Sequence, residues 1–141
     1  MKFMTEKVFI DSNIFIYAYT SDDERKHSIA HHLLRHNVFN NEIIISVQIL
    51  TEFYSVMARY KYPHNEIKSC LNEIIEQVQV MPLELETIKQ CLYIKEKYGS
   101  SWWDSLVLAS ALENNCVILY SEDMQSNQVI ENTLRIINPF M

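Results

Sequence analysis

The sequence predicts an α/β fold: a parallel sheet of four to five strands flanked by helices. Three observations carry this. Short apolar runs such as Lys7-Val8-Phe9-Ile10 and Glu42-Ile43-Ile44-Ile45-Ser46 have no polar alternation, the pattern of strands buried on both faces. Longer segments with apolar residues three and four apart lie between them. The two kinds of segment alternate along the whole chain, as βα units require. No linker, repeat or low-complexity segment interrupts them, so one domain over residues 1–141 is expected.

The first run ends in Asp11, and Ser12-Asn13 open a short helix through Ile14, Phe15, Tyr17 and Ala18. Asp22-Asp23 start a second helix, to about His36, with Ile29, Ala30, Leu33 and Leu34 as its buried stripe. A helix from about Val47 to Lys61 follows the Glu42–Ser46 strand and carries Glu52 at the edge of its apolar face. Pro63 is expected at the first position of the next helix. Val78–Met81 reads as a third strand, and a further helix stops at Gly99. Cys116–Tyr120 is a fourth strand and Leu134–Ile137 a fifth.

The stretch Trp102–Asn115 reads as a helix capped by Ser100 or Ser101. Asp104 shares a face with Val107, Leu108 and Ala111, and so sits on an apolar stripe. The solvated face is expected at Ser105, Ala109 and Glu113. A carboxylate facing a core needs hydrogen-bond donors or a cation. Trp102 and Trp103 cannot both face inwards, so one is expected near a site mouth or an interface.

Composition excludes several function classes. A net charge of −6 gives no bulk attraction to a nucleic-acid backbone, although bound metal ions can offset clustered acids. Cys70, Cys91 and Cys116 are odd in number and form no CxxC pair, so reduced thiols are expected. With Gly99 as the single glycine, a Gly-rich phosphate or dinucleotide loop is ruled out. No signal-peptide core and no membrane-length apolar run is present, which points to the cytoplasm. His27/His31 and His32/His36 are spaced i, i+4, but they flank opposite edges of their helix stripe and no HExxH pattern accompanies them. They are read as solvated or edge-packed.

The acids carry the functional signal. In parallel sheets, ligands bind outside the carboxyl ends of the strands. Asp11, Glu52, Asp104 and Asp123 all fall at that edge. Four unneutralised carboxylates repel one another. A hard divalent ion resolves this, and oxygen-only ligands favour Mg²⁺ or Mn²⁺ over zinc. The chemistry that suits such a site is phosphodiester hydrolysis by metal-activated water.

The motifs Phe9-Ile10-Asp11-Ser12-Asn13, Glu52, Trp103-Asp104-Ser105-Leu106 and Leu119-Tyr120-Ser121-Glu122-Asp123-Met124 resemble those of PIN-domain ribonucleases, above all the toxins of bacterial type II toxin–antitoxin pairs. The resemblance covers essentially the whole chain. It implies a PIN-like fold and a Mg²⁺-dependent endoribonuclease, inhibited by a cognate antitoxin and usually homodimeric. Asp11, Glu52, Asp104 and Asp123 would be the metal-binding, catalytic acids, with Asn13 and Ser121 as supporting residues that orient them. Two positions depart from the pattern. Ser12 stands where the family often has Thr, and Asn127 where related toxins often have Gly. Asn tolerates left-handed backbone angles, so the loop is expected to be kept.

Competing readings are weaker. A haloacid-dehalogenase-type phosphatase would use Asp11 as nucleophile but needs a second Asp where Asn13 stands. A response-regulator receiver needs a late lysine, and none lies between Cys116 and Met141. A catalytically silent scaffold with this fold would not need all four acids. Tyr17, Tyr19, Tyr54, Tyr60 and Tyr62 are read as aromatic packing rather than base-stacking residues. Arg59 and Lys61 either reach phosphate or complement a helix end.

Overall fold

A computed structural model describes residues 5–141. In chain order the elements are β1 (Lys7–Ile10), α1 (Ser12–Tyr19), α2 (Glu24–Asn40), β2 (Glu42–Ser46), α3 (Val47–Arg59) and α4 (His64–Gln77). Then come β3 (Gln79–Met81), α5 (Leu85–Tyr98), α6 (Trp102–Glu113), β4 (Ile118–Tyr120), β5 (Val129–Ile130) and β6 (Leu134–Ile137). The sheet order is β3-β2-β1-β4-β6-β5. Every pairing is parallel except β5 with β6.

The sheet therefore has six strands where the sequence predicts four to five. The addition is β5, two residues long and antiparallel on the edge. Glu131 and Asn132 turn the chain back towards β6 with φ of 51° and 61°. A two-residue strand reached through a turn without glycine leaves almost no periodic signal to read.

Chain direction sets the site. β1 pairs with β2 on one side and β4 on the other, which makes the β1/β4 boundary the point where the strand order reverses. Val8, Phe9 and Ile10 are fully buried between the layers, as a parallel central strand demands. A helix that feeds a parallel strand runs antiparallel to it. The N-terminus of α6 therefore lies at the same sheet edge as the carboxyl ends of β1, β2 and β4.

Caps define the helix ends. Asp23 caps α2 by accepting from the Lys26 N–H, and Ser101 caps α6 by accepting from the Asp104 N–H. Gly99 ends α5 at φ 73°, where a glycine carries no steric cost. Pro63 sits one place earlier than expected, as the cap residue of α4, so the helix proper starts at His64.

One expectation about α6 is corrected. Ser105 and Ala109 do not face water; both are fully buried. They lie against α5, where Ala109 joins Cys91 and Leu106 in a second apolar cluster. The small side chains let α5 approach closely, and the Ser105 hydroxyl is satisfied 2.7 Å from the Ser100 hydroxyl. Thus α6 is enclosed on both sides, and its N-terminal turn is the part that opens to the sheet edge. Trp102 packs on this cluster while Trp103 is exposed, as their adjacency requires. Cys70, Cys91 and Cys116 are free thiols.

Candidate active site

Asp11 is the most deeply placed acid, 5% exposed. It continues β1 by one hydrogen bond, from its N–H to the Tyr120 carbonyl at 3.0 Å, and then caps α1. Its Oδ1 accepts from the Ser12 N–H at 2.8 Å. Its Oδ2 accepts from the Ser121 hydroxyl at 2.8 Å and, more loosely, from the Asn13 amide at 3.5 Å. Burial pushes the Asp11 carboxyl up to about 7; the Ser121 and Ser12 donors pull it down, while Glu52 and Asp104 raise it.

The same few side chains reach the other acids. The Asn13 amide donates to Asp123 Oδ2 at 3.0 Å, and its carbonyl accepts from the Glu122 N–H at 3.3 Å. The Ser121 hydroxyl accepts from the Asp123 N–H at 3.3 Å. Ser12 donates its hydroxyl to Glu52 Oε2 at 3.0 Å. Glu52 projects from α3, which follows β2 without a break. Asp104 sits half-buried in the first turn of α6, and its carboxyl is raised by that burial and by Asp123 beside it. β1, α3, α6 and the segment after β4 thus each supply one acid to one edge. Among the described residues no lysine or arginine pairs with any of the four.

A model of the PIN domain matches residues 8–130 of the chain. The chain belongs to the PIN-domain family. No curated protein matches it by sequence. Among solved structures, it is similar to VapBC2 from Rickettsia felis bound to a DNA fragment from their promoter, with TM-score 0.68 and 18% identity over 94% of this chain and 99% of that one. It is also similar to a toxin–antitoxin complex from Klebsiella pneumoniae, with TM-score 0.71 and 14% identity over 94% and 97%. A third is VapC20 of Mycobacterium tuberculosis, a sarcin–ricin-loop-cleaving toxin, with TM-score 0.65 and 16% identity over 79% and 86%. At these identities the likeness establishes a shared fold.

In this PIN domain the donor set is all oxygen, which suits a hard divalent cation such as Mg²⁺. As the side chains stand, no three acids, histidines or cysteines among the described residues are grouped tightly enough to hold one ion. Asp11, Glu52 and Asp123 are each held by hydroxyl, amide or backbone N–H donors, while Ser101, the cap residue of α6, partly offsets the burial that raises the Asp104 carboxyl.

Two crevices open beside the acids, and Asp123 lines both. One, of about 350 Å³, is bordered by Ser12, Asn13, Tyr17, Arg59 and Tyr60. The other, of about 230 Å³, is bordered by Ser100, Asp104, Met124, Gln125 and Gln128. A larger hollow of about 560 Å³ runs along α2 past the four histidines and shares no residue with the acids. Chemistry rather than size decides between them: Asp123 lines both smaller crevices and Asp104 the second, and the histidines form no metal-binding group among the described residues.

The sequence reading named the four acids, Asn13 and Ser121, and missed three participants. Ser12 bridges Asp11 and Glu52. Gln48 holds Glu52 from one turn earlier on α3, a spacing that was available to read. Glu122 turns away from its neighbour Asp123, to the Tyr17 hydroxyl at 2.8 Å and the Lys26 ammonium at 2.6 Å. That arrangement joins residues from three elements and has no local signature. Tyr17, Tyr19, Tyr54 and Tyr62 pack against the core, whereas Tyr60 is 59% exposed beside Arg59 in the first crevice. Asn127 takes φ 69°, the left-handed angle expected of it.

Proposed function

We propose that this PIN domain is a Mg²⁺-dependent endoribonuclease, with Mn²⁺ as a possible substitute, and the toxin of a type II toxin–antitoxin pair. The observation that carries the reading is the set of four acids at one sheet edge with no protein cation against them among the described residues. Asp11, Glu52, Asp104 and Asp123 would hold the metal. When bound, the ion would supply an activated water and offset charge on the phosphate. Ser121 and Asn13 fix the orientation of Asp11 and Asp123, and Ser12 that of Glu52. Asp11 carries its proton at mildly acidic pH and must lose it before it can act as a ligand.

RNA is the substrate this arrangement suits. With a net charge of −6, attraction has to come from the metal and from local groups such as Arg59 at the rim of the first crevice. The toxin assignment and a homodimer rest on the resemblance and on the fold shared with the toxin–antitoxin complexes. An antitoxin suited to this edge would bring an apolar helix and a basic side chain to the acids. Among the described residues no helix is long and apolar enough to cross a membrane.

The test is cleavage of RNA by the purified chain with and without Mg²⁺, followed by mapping of the new ends. Mg²⁺-dependent internal cleavage that is lost in Asp11→Asn is the expected result. A chain that binds RNA without cleaving it under any divalent ion would overturn the enzyme reading in favour of a scaffold. Cell toxicity that no co-expressed neighbouring gene product neutralises would remove the toxin–antitoxin assignment alone.

A further inference from the structure

Gln48 is 4% exposed, in the first turn of α3. Its amide nitrogen donates twice: to Glu52 Oε1 at 2.9 Å and to the backbone carbonyl of Trp103 at 3.2 Å. Among the described residues, the second contact is the only hydrogen bond that joins α3 to α6. The residue after Trp103 is Asp104. One amide therefore grips the acid of α3 with one hydrogen and the turn that presents the acid of α6 with the other.

The amide cannot be turned over. A flip would set its carbonyl oxygen against a carboxylate and a backbone carbonyl, two acceptors facing a third. In the orientation observed, Gln48 Oε1 is buried without a hydrogen-bond partner. An unsatisfied buried oxygen destabilises a fold, so its presence requires an explanation. The explanation on hand is the pair of acceptors, which only a side chain with two N–H groups on one atom can bridge from this position.

We propose that Gln48 is a positioning residue that sets the separation between Glu52 and Asp104, and through it the fit of the divalent ion. This rests on the metal-nuclease reading above and extends it to a residue that touches neither substrate nor metal. Ser12 holds the far oxygen of Glu52, so Gln48 and Ser12 together leave that carboxylate one orientation. The Asp104 carboxyl is raised by burial, lowered in part by Ser101, its own cap residue, and reached by neither Gln48 nor Ser12. Its place depends on the α6 cap at Ser101 and on the α3 tether.

The test uses Gln48→Met, which keeps length and helix propensity but donates nothing. Mn²⁺ is titrated calorimetrically into the full chain without RNA, and cleavage is then followed at saturating Mn²⁺. The proposal expects Mn²⁺ affinity to fall about tenfold or more and kcat to fall while KM for RNA stays near wild type, as for other residues that orient metal ligands. Thr87→Val, at a buried hydroxyl in the α5 cap, is the control for general loosening. It should lower the urea midpoint and leave Mn²⁺ affinity unchanged. Wild-type affinity in Gln48→Met overturns the proposal, and so does an equal loss of affinity in Thr87→Val. If Gln48→Met does not fold, Gln48→Leu takes its place with the same two outcomes. A wild-type chain that neither binds Mn²⁺ nor cleaves RNA sinks the metal-nuclease reading itself, which separates that failure from this one.

Discussion

Asn13 and Asp123, 110 positions apart in sequence, are joined by one hydrogen bond of 3.0 Å from the Asn13 amide to Asp123 Oδ2. The same amide lies 3.5 Å from Asp11 Oδ2, so a single neutral donor stands between two acids. Asn13→Asp keeps the size and can still accept from the Glu122 N–H. It turns the shared donor into a third carboxylate. The metal-free protein should lose about 1–3 kcal/mol in urea unfolding at pH 8. Millimolar Mg²⁺ should restore part of that loss. An unchanged midpoint without metal would show that Asp11 and Asp123 do not depend on Asn13.

Ser121 is fully buried and serves both acids, as donor to Asp11 and acceptor for the Asp123 N–H. Hydrogen bonds to a charged group are worth about 1.5–3 kcal/mol. Ser121→Ala should therefore cost about that much at pH 8, where Asp11 is ionised, and less at pH 5, where it carries its proton. Paired urea titrations at the two pH values check this. A loss independent of pH would mean that the hydroxyl serves packing and the Asp123 N–H rather than the Asp11 charge.

How much of this was legible in the sequence depends on the range of each signal. Asp11 could be placed because a buried strand of four residues ends directly in front of it. Asp104 could be placed because a helix periodicity fixed its face, but the neighbouring face of Ser105 and Ala109 was misjudged. Small residues read as solvated when their partner, here α5, is distant in sequence. β5 escaped because two residues carry no period. Ser12 and Gln48 escaped for another reason: a hydroxyl or an amide has many uses, and only the position of Glu52 in space selects one. Asn13 and Ser121 are named through the family resemblance, whereas the bonds of Ser12 and Gln48 to Glu52 become visible only in three dimensions.

Asp104→Asn separates a structural acid from a functional one. Asp104 is half-buried, and Asp123 beside it disfavours its charge. Asparagine is nearly isosteric and leaves the cap bond from the Asp104 N–H to Ser101 intact. Relief of repulsion should leave the metal-free fold as stable as wild type, or more so. Mg²⁺-dependent cleavage should fall by at least about 100-fold. A destabilised variant that cleaves RNA at the wild-type rate would show that Asp104 serves the fold alone.

On the proposed function, Asp11 should make both stability and metal binding depend on pH, in opposite directions. Its carboxyl is raised from 3.8 to about 7, with burial as the main cause. Between those values the folded chain holds a proton that the unfolded chain has released. Stability contributed by this group is therefore full below about pH 4 and is lost as pH rises towards 7. At about 1.4 kcal/mol per pH unit, the whole window amounts to about 4 kcal/mol. The metal-free protein should accordingly lose stability from pH 5 to pH 8 by urea titration, and Asp11→Asn should flatten that slope. Metal binding at Asp11, as proposed above, should run the other way, because the ion would have to displace the proton. Mn²⁺ affinity should rise by up to tenfold per pH unit below about 7 and level off above it. Calorimetry in buffers of different ionisation enthalpy should register close to one proton released per ion at pH 6 and almost none at pH 8. Equal proton release at both pH values would mean that Asp11 is already ionised when the metal arrives.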